Sequence, residues 1–196
     1  MRGGVVGVQG DVSEHVDAVR RAIRSGGYSA DAIAVRRLSD LQRVDALTIP
    51  GGESTTISKL LVKFGLFEEV HRRAEAGMPI LGTCAGCILL AKQGDDEVSK
   101  TGTKLLGLMD MAVDRNAFGR QRESFEADLD VTILDRPFHG VFIRAPAITR
   151  TWGRCTPLAK LGDRIVLARQ DDLVASAFHP ELSGDLRIHE WFLGLV

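Results

Sequence analysis

Cys84 lies between two glycines, in the run Gly82-Thr83-Cys84-Ala85-Gly86. The apolar residues Pro79-Ile80-Leu81 lead in and Ile88-Leu89-Leu90-Ala91 lead out. That pattern reads as a short buried strand, a sharp turn and a helix. It is the G-x-S-x-G elbow with cysteine in place of serine, which lifts the side chain above a sheet edge. The flanking glycines let the backbone turn tightly and let neighbouring elements pack close. A sulfur at a helix N-terminus is placed where the helix dipole favours the thiolate, the nucleophilic form. Cysteines among apolar residues are more often small buried hydrophobes, and Cys87 and Cys155, which lack this frame, are read that way.

A cysteine nucleophile needs a base, and the base needs a group that fixes its orientation. Phe178-His179-Pro180-Glu181 follows the apolar run at residues 174–178 and supplies a histidine and a carboxylate at a strand end. His15, His71, His139 and His189 have no such setting and are left as structural or interfacial, with His15 and His189 the least settled. A second glycine-rich turn, Pro50-Gly51-Gly52-Glu53-Ser54-Thr55, follows another apolar run. Its backbone N–H groups suit an oxyanion or a phosphate. It lacks the Gly-Lys-Ser/Thr ending of a P-loop and the G-x-G-x-x-G spacing of a dinucleotide site. A plain loop with Ser54 as helix cap is the alternative.

These groups need a scaffold. Strands are expected at residues 5–8, 32–35, 46–49 and 79–81. Helices are expected at 12–23, 56–64 and 66–76, the first from the spacing of Val12, Val16, Val19 and Ile23, with Asp11 or Ser13 as its cap. Alternating strands and helices imply a doubly wound α/β fold with a mostly parallel sheet, and an active site at the carboxyl ends of its strands. Both glycine-rich turns should then share that edge. The second half reads as added antiparallel strands at 109–113, 125–134, 141–144, 165–168 and 174–178, closed by a helix at 186–195. Residues 92–104 read as a polar, mobile loop. No linker divides the chain, so residues 1–196 form one expected domain.

Bulk properties narrow the classes of function. The 196 residues are 44% hydrophobic with a formal net charge of -1, which argues against disorder and against a phosphate-driven nucleic-acid binder. Three cysteines without a C-x-x-C pair suggest reduced thiols rather than disulfides or a zinc site. No basic leader and no apolar run near the ~18 residues of a membrane span are found. A soluble, cytoplasmic protein that engages neither nucleic acid nor membrane is expected.

Together, GTCAG, PGGEST and HPE resemble the triad-type (class I) glutamine amidotransferases. VQGDVSEH at residues 8–15, RNAFGRQ at 115–121, SFE at 124–126, FIRAP at 142–146 and FHPEL at 178–182 are similar, within that class, to the glutaminase subunits of pyridoxal 5'-phosphate synthase. The resemblance spans nearly the whole chain. It implies a flavodoxin-like fold with Cys84 as nucleophile, His179 as base and Glu181 as orienting acid. Gly52 and Ala85 match the oxyanion donors, and Gly52, Glu53 and Ser54 match the glutamine-binding loop. Arg115, Ile143 and Arg144 match further substrate contacts. An arginine suits the substrate carboxylate, and Glu53 suits the ammonium.

The implied reaction converts L-glutamine to glutamate and ammonia through a glutamyl thioester, with no metal or organic cofactor. The implied partner is a synthase subunit that receives the ammonia within a large hetero-oligomer. Alternatives are a glutaminase of another pathway, a non-catalytic regulatory subunit, and a peptidase or chaperone-like relative on the same sheet. The acidic stretch Asp95-Asp96-Glu97 departs from the usual pattern and is expected to alter surface rather than chemistry. Asp11 stands where many members of the family have a small residue, in a segment the resemblance implies docks the partner.

Overall fold

The structure is a computed structural model and describes residues 1–27, 31–115, 117 and 124–196. The first half runs β1 (Gly3–Val6), α1 (Val12–Ser25), β2 (Ala32–Val35), α2 (Leu38–Leu41), β3 (Ala46–Ile49), α3 (Ser54–Lys63), α4 (Leu66–Glu75), β4 (Ile80–Thr83) and α5 (Ala85–Leu90). The second continues with β5 (Ala91–Gln93), α6 (Asp96–Lys100), β6 (Met109–Asp114), β7 (Ser124–Leu129), β8 (Phe138–Ile143), β9 (Ala147–Thr151) and β10 (Thr156–Leu161). It ends with β11 (Arg164–Gln170), β12 (Leu173–Ser176), a 3-10 turn at Pro180–Leu182 and α7 (Arg187–Leu193).

Nine strands lie in the order β2-β1-β3-β4-β12-β11-β9-β6-β5, with β10 beside β11. The first five are parallel, in the flavodoxin-like order of a doubly wound sheet. β11, β9 and β10 add antiparallel pairings. β7 and β8 form a separate antiparallel ribbon. The fold is therefore the expected mixed α/β architecture.

The parallel strands are buried on both faces, so consecutive residues feed opposite cores. Val6, Leu47, Ile80 and Ala175 pack toward α3, α4 and α5. Val5, Ala46, Leu81 and Val174 pack toward α1, α7 and the β7–β8 ribbon. The ribbon is anchored by Phe138 and Phe142, whose rings lie 5.7 and 5.6 Å from that of Phe178.

Three expectations are revised. The buried stripe of α1 is His15, Ala18, Val19, Ala22 and Ile23, a helical i, i+3, i+4 spacing that includes a histidine. β9 and β10 were not foreseen as strands. Pro157 lies in β10 at a break in its register with β11, and proline is tolerated at such bulges. Residues 92–104 are not a bare loop: they contain the end of β5 and all of α6, whose cap is the Asp95 carboxylate accepting from Val98 N–H at 2.9 Å. Among the described residues no helix is long and apolar enough to cross a membrane.

Candidate active site

Parallel pairing brings the ends of β3, β4 and β12 to one edge of the sheet. The turns that leave these strands carry Gly51-Gly52, Cys84 and His179 respectively. Cys84 has φ 49° and ψ -101°, a conformation costly to an L-residue that persists only where surroundings enforce it. Its N–H donates to Ser176 O at 2.8 Å and its carbonyl accepts from Ile88 N–H at 3.2 Å. The enforcement includes close packing at both glycines. A Cβ on Gly82 would meet the Gly86 carbonyl at 2.6 Å, and one on Gly86 would overlap the Ile49 carbonyl oxygen. Cys84 is 8% exposed, and its thiol faces Ile143 O at 3.9 Å.

His179 follows β12 and is fixed by its own N–H, which donates to Val141 O at 2.8 Å. Its ring lies near enough to the Cys84 side chain for that group to help set the imidazole's pKa. On the other side its Nδ1 donates to Glu181 Oε1 at 2.6 Å. Pro180 opens the 3-10 turn that carries Glu181 and presets its first φ. Burial alone pulls the imidazole's pKa down, but Cys84 and Glu181 outweigh it and raise His179 to about 10. Burial pushes the Glu181 carboxyl above its usual range, against the pull of His179. The three side chains thus form a line in which the middle imidazole holds a proton between a sulfur and a carboxylate. Cys87 and Cys155 are buried free thiols. Burial pushes both up, Cys155 to about 11, so neither is poised as a nucleophile.

Two residues join this line that the sequence reading left aside. Asp11 Oδ2 lies 3.5 Å from His179 Nδ1. His15 is fully buried, with Nε2 at 2.9 Å from Thr83 Oγ1 and 3.3 Å from Glu181 Oε1. The sequence signal for His15 was its place on the face of α1 that otherwise carries small and aliphatic residues. His189 lies behind it, with ring centroids 6.3 Å apart, and burial lowers His189 to about 4.

The turn after β3 packs against the loop that precedes α1. Asp11 N–H donates to Gly51 O at 3.2 Å, and Glu53 N–H donates to Gln9 Oε1 at 3.0 Å. Gly10 (φ 105°) and Gly52 (φ 144°) both take the left-handed side. A Cβ on Gly10 would overlap Gly51 O, so the two loops touch backbone to backbone. Ala85 opens α5, and the first N–H groups of a helix have no acceptor within it.

Glu53, not Ser54, caps α3. Its carboxylate accepts from Thr55 N–H at 3.0 Å, Thr56 N–H at 2.6 Å and the Thr56 hydroxyl at 2.7 Å. Partial burial opposes ionisation, but these bonds prevail and bring Glu53 to about 2. Ser54 is buried beneath it.

Arg115 Nη2 pairs with Glu53 Oε1 at 3.2 Å, so two of the expected glutamine contacts also hold each other. The Arg115 N–H donates to Asp95 Oδ2 at 2.8 Å, and its Nη1 donates to Thr101 Oγ1 at 3.3 Å. The acidic stretch around Asp95 therefore abuts the site, contrary to the expectation that it alters surface alone. Ile143 and Arg144 are exposed at the end of β8, and Arg144 has φ 43°. Of RNAFGRQ, Asn116 and residues 118–121 lie outside the described residues.

The chain is similar to known proteins over its whole length. The model of the SNO glutamine amidotransferase family matches residues 5–196. The pyridoxal 5'-phosphate synthase subunit PdxT of Methanosarcina acetivorans is 53% identical over the whole chain and 98% of its own length. The subunit of the same name from Archaeoglobus fulgidus is 54% identical over the same shares. A crystal structure of a glutamine amidotransferase superposes with a TM-score of 0.87 at 47% identity, covering 98% of this chain and 97% of that one. PurLQS from Thermotoga maritima, at 15% identity and a TM-score of 0.60 over 99% of this chain and 96% of that one, shares the fold. With its elbow, its buried histidine–carboxylate pair and its full-length match, the chain belongs to the SNO glutamine amidotransferase family.

Proposed function

We propose that this chain is the glutaminase subunit of a pyridoxal 5'-phosphate synthase, and that Cys84, His179 and Glu181 are its catalytic triad. The observation that carries the triad is the 2.6 Å bond from His179 to the buried Glu181 carboxylate, at the same sheet edge as the strained elbow cysteine. The Cys84 sulfur attacks the side-chain amide carbon of L-glutamine. The oxyanion that forms is met by N–H groups of Gly52 and Ala85. His179 gives its proton to the departing nitrogen, ammonia leaves, and a γ-glutamyl thioester remains on Cys84. Water, losing a proton to His179, attacks the thioester and releases glutamate. Glu181 keeps the imidazole oriented and offsets its charge throughout. Each step is complete with these groups and water.

Substrate recognition falls to the turn after β3 and to Arg115, with Ile143 and Arg144 at the rim. Arg115 suits the α-carboxylate of glutamine, and Glu53, ionised down to about pH 2, suits the ammonium. The ammonia passes to the synthase subunit without release to solvent. Gln9 and Asp11 bind the oxyanion turn to the loop before α1, so a partner docked on that loop would set the turn and raise activity. Residues 1–196 act as one domain, in the cytoplasm.

The test is ammonia release from L-glutamine with and without the synthase subunit. Activity should rise strongly on adding it, and Cys84→Ala should abolish activity while still binding the partner. Full activity in Cys84→Ala would remove the nucleophile assignment. Activity indifferent to the synthase would point to a different partner.

A further inference from the structure

The buried stripe of α1 is apolar or small except at His15. Burying an imidazole costs free energy unless its polar atoms find partners. Here Nε2 sits between Thr83 Oγ1 at 2.9 Å and Glu181 Oε1 at 3.3 Å. Thr83 is the residue before the elbow cysteine, and Glu181 is the far end of the line through His179. One ring nitrogen thus spans the nucleophile strand and the turn that carries the orienting acid.

The chemistry fixes which way the proton points. With His179 holding a proton, Glu181 faces it as a carboxylate, which can only accept. A nitrogen approached by a carboxylate oxygen must carry the hydrogen, so His15 is the Nε2–H tautomer. The groups facing His15 are Glu181 on the 3-10 turn, His179 at the end of β12 and His189 on α7. Burial first, then the two histidines, hold His15 well below its ordinary pKa. It is neutral and acts as a fixed dipole.

We propose that His15 is a positioning residue of the glutaminase, whose Nε2–H, anchored on Thr83 and facing Glu181, holds that carboxylate in the orientation that steers His179 onto Cys84. Glu181 Oε1 then lies beside two ring nitrogens, hydrogen-bonded to His179 Nδ1 at 2.6 Å and 3.3 Å from His15 Nε2 on α1. Neither alone fixes the carboxylate's rotation, because each can be followed by a turn about the Glu181 side chain. The inference rests on the triad reading of Cys84, His179 and Glu181. It adds α1 to the elements that carry the reaction.

The experiment measures steady-state ammonia release from L-glutamine in the complex with the synthase subunit. His15→Met fills the space without a donor, and His15→Gln returns an N–H close to the Nε2 position. The Met variant should lose about 10- to 100-fold in kcat, the usual consequence of misplacing a catalytic group, with the KM for glutamine unchanged. The Gln variant should recover most of that loss. A structural role alone would not separate the two variants in kcat while leaving KM in place.

A Met variant with full kcat, or a Gln variant no better than a folded Met variant, overturns the inference. Should the Met variant fail to fold, Thr83→Val decides: a lowered kcat at constant KM supports the bridge, and an unchanged kcat overturns it. Cys84→Ala in the same assay separates the two levels. If it still releases ammonia, the triad falls and this inference with it. If it is inactive beside an unimpaired His15→Met, this inference alone falls.

Discussion

At the scale of single residues, the site concentrates unfavourable choices that only their neighbours make tolerable. Cys84 takes a backbone conformation that its own side chain opposes, and Glu181 buries a charge. Packing at Gly82 and Gly86 holds the first, and the His179 Nδ1–H donated to the Glu181 carboxylate holds the second. The imidazole should therefore titrate near pH 10. Followed by nitrogen-15 NMR, it should fall toward the ordinary histidine range in Glu181→Gln. That variant should also lose about 100-fold or more in kcat, as expected for an orienting acid replaced by an amide. The linkage sign is that of a raised histidine. The pair's contribution to stability is complete below the unfolded pKa near 6.5 and is lost as pH rises through about 10. A wild-type chain whose His179 titrates at the ordinary value would remove the charge pairing on which the mechanism depends.

At the scale of elements, the elbow works because α5 lies directly on β3. Gly86→Ala places a methyl against the Ile49 carbonyl. It should cost about 1–3 kcal/mol, measurable by denaturant unfolding, as overpacking does. α6 has the same kind of leverage on Arg115. Asp95→Ala removes the cap of α6, worth about 1 kcal/mol, and frees the Arg115 peptide. The KM for glutamine should rise several-fold with kcat little changed, and an unchanged KM would mean that Arg115 needs no such anchor.

These elements also mark where the sequence was legible. β2 and β3 fall where their apolar runs placed them, and the elbow declared itself through two glycines around one cysteine. His15 showed only as a polar residue on the apolar face of α1, and its partner lies on the 3-10 turn before α7. Asp95 did not, because a short polar stretch carries no periodicity, and the N–H it accepts from arrives after β6. β10 was hidden by a proline that sits at a break in its register with β11. In each case the deciding contact is distant in sequence, where local pattern does not identify the partner.

At the scale of the whole molecule, β12 is inserted between β4 and β11. It joins the parallel sheet of the first half to the antiparallel strands of the second, and both cores run across the seam. Calorimetry should therefore show one cooperative unfolding transition, with calorimetric and van't Hoff enthalpies equal. Two separable transitions would divide the chain into two units and contradict the single domain at residues 1–196.

The place of β12 in that order has a consequence for how the chain is made. The nucleophile's strand is synthesised early, and the base arrives on a strand about 95 residues later. At about 5–20 residues per second on the ribosome, the elbow exists for some 5–20 s with no partner for its sulfur. Throughout that interval a nascent chain has no means of releasing ammonia. The same step that completes the sheet switches on the chemistry, so a truncated or misfolded product lacking β12 is inert rather than leaky.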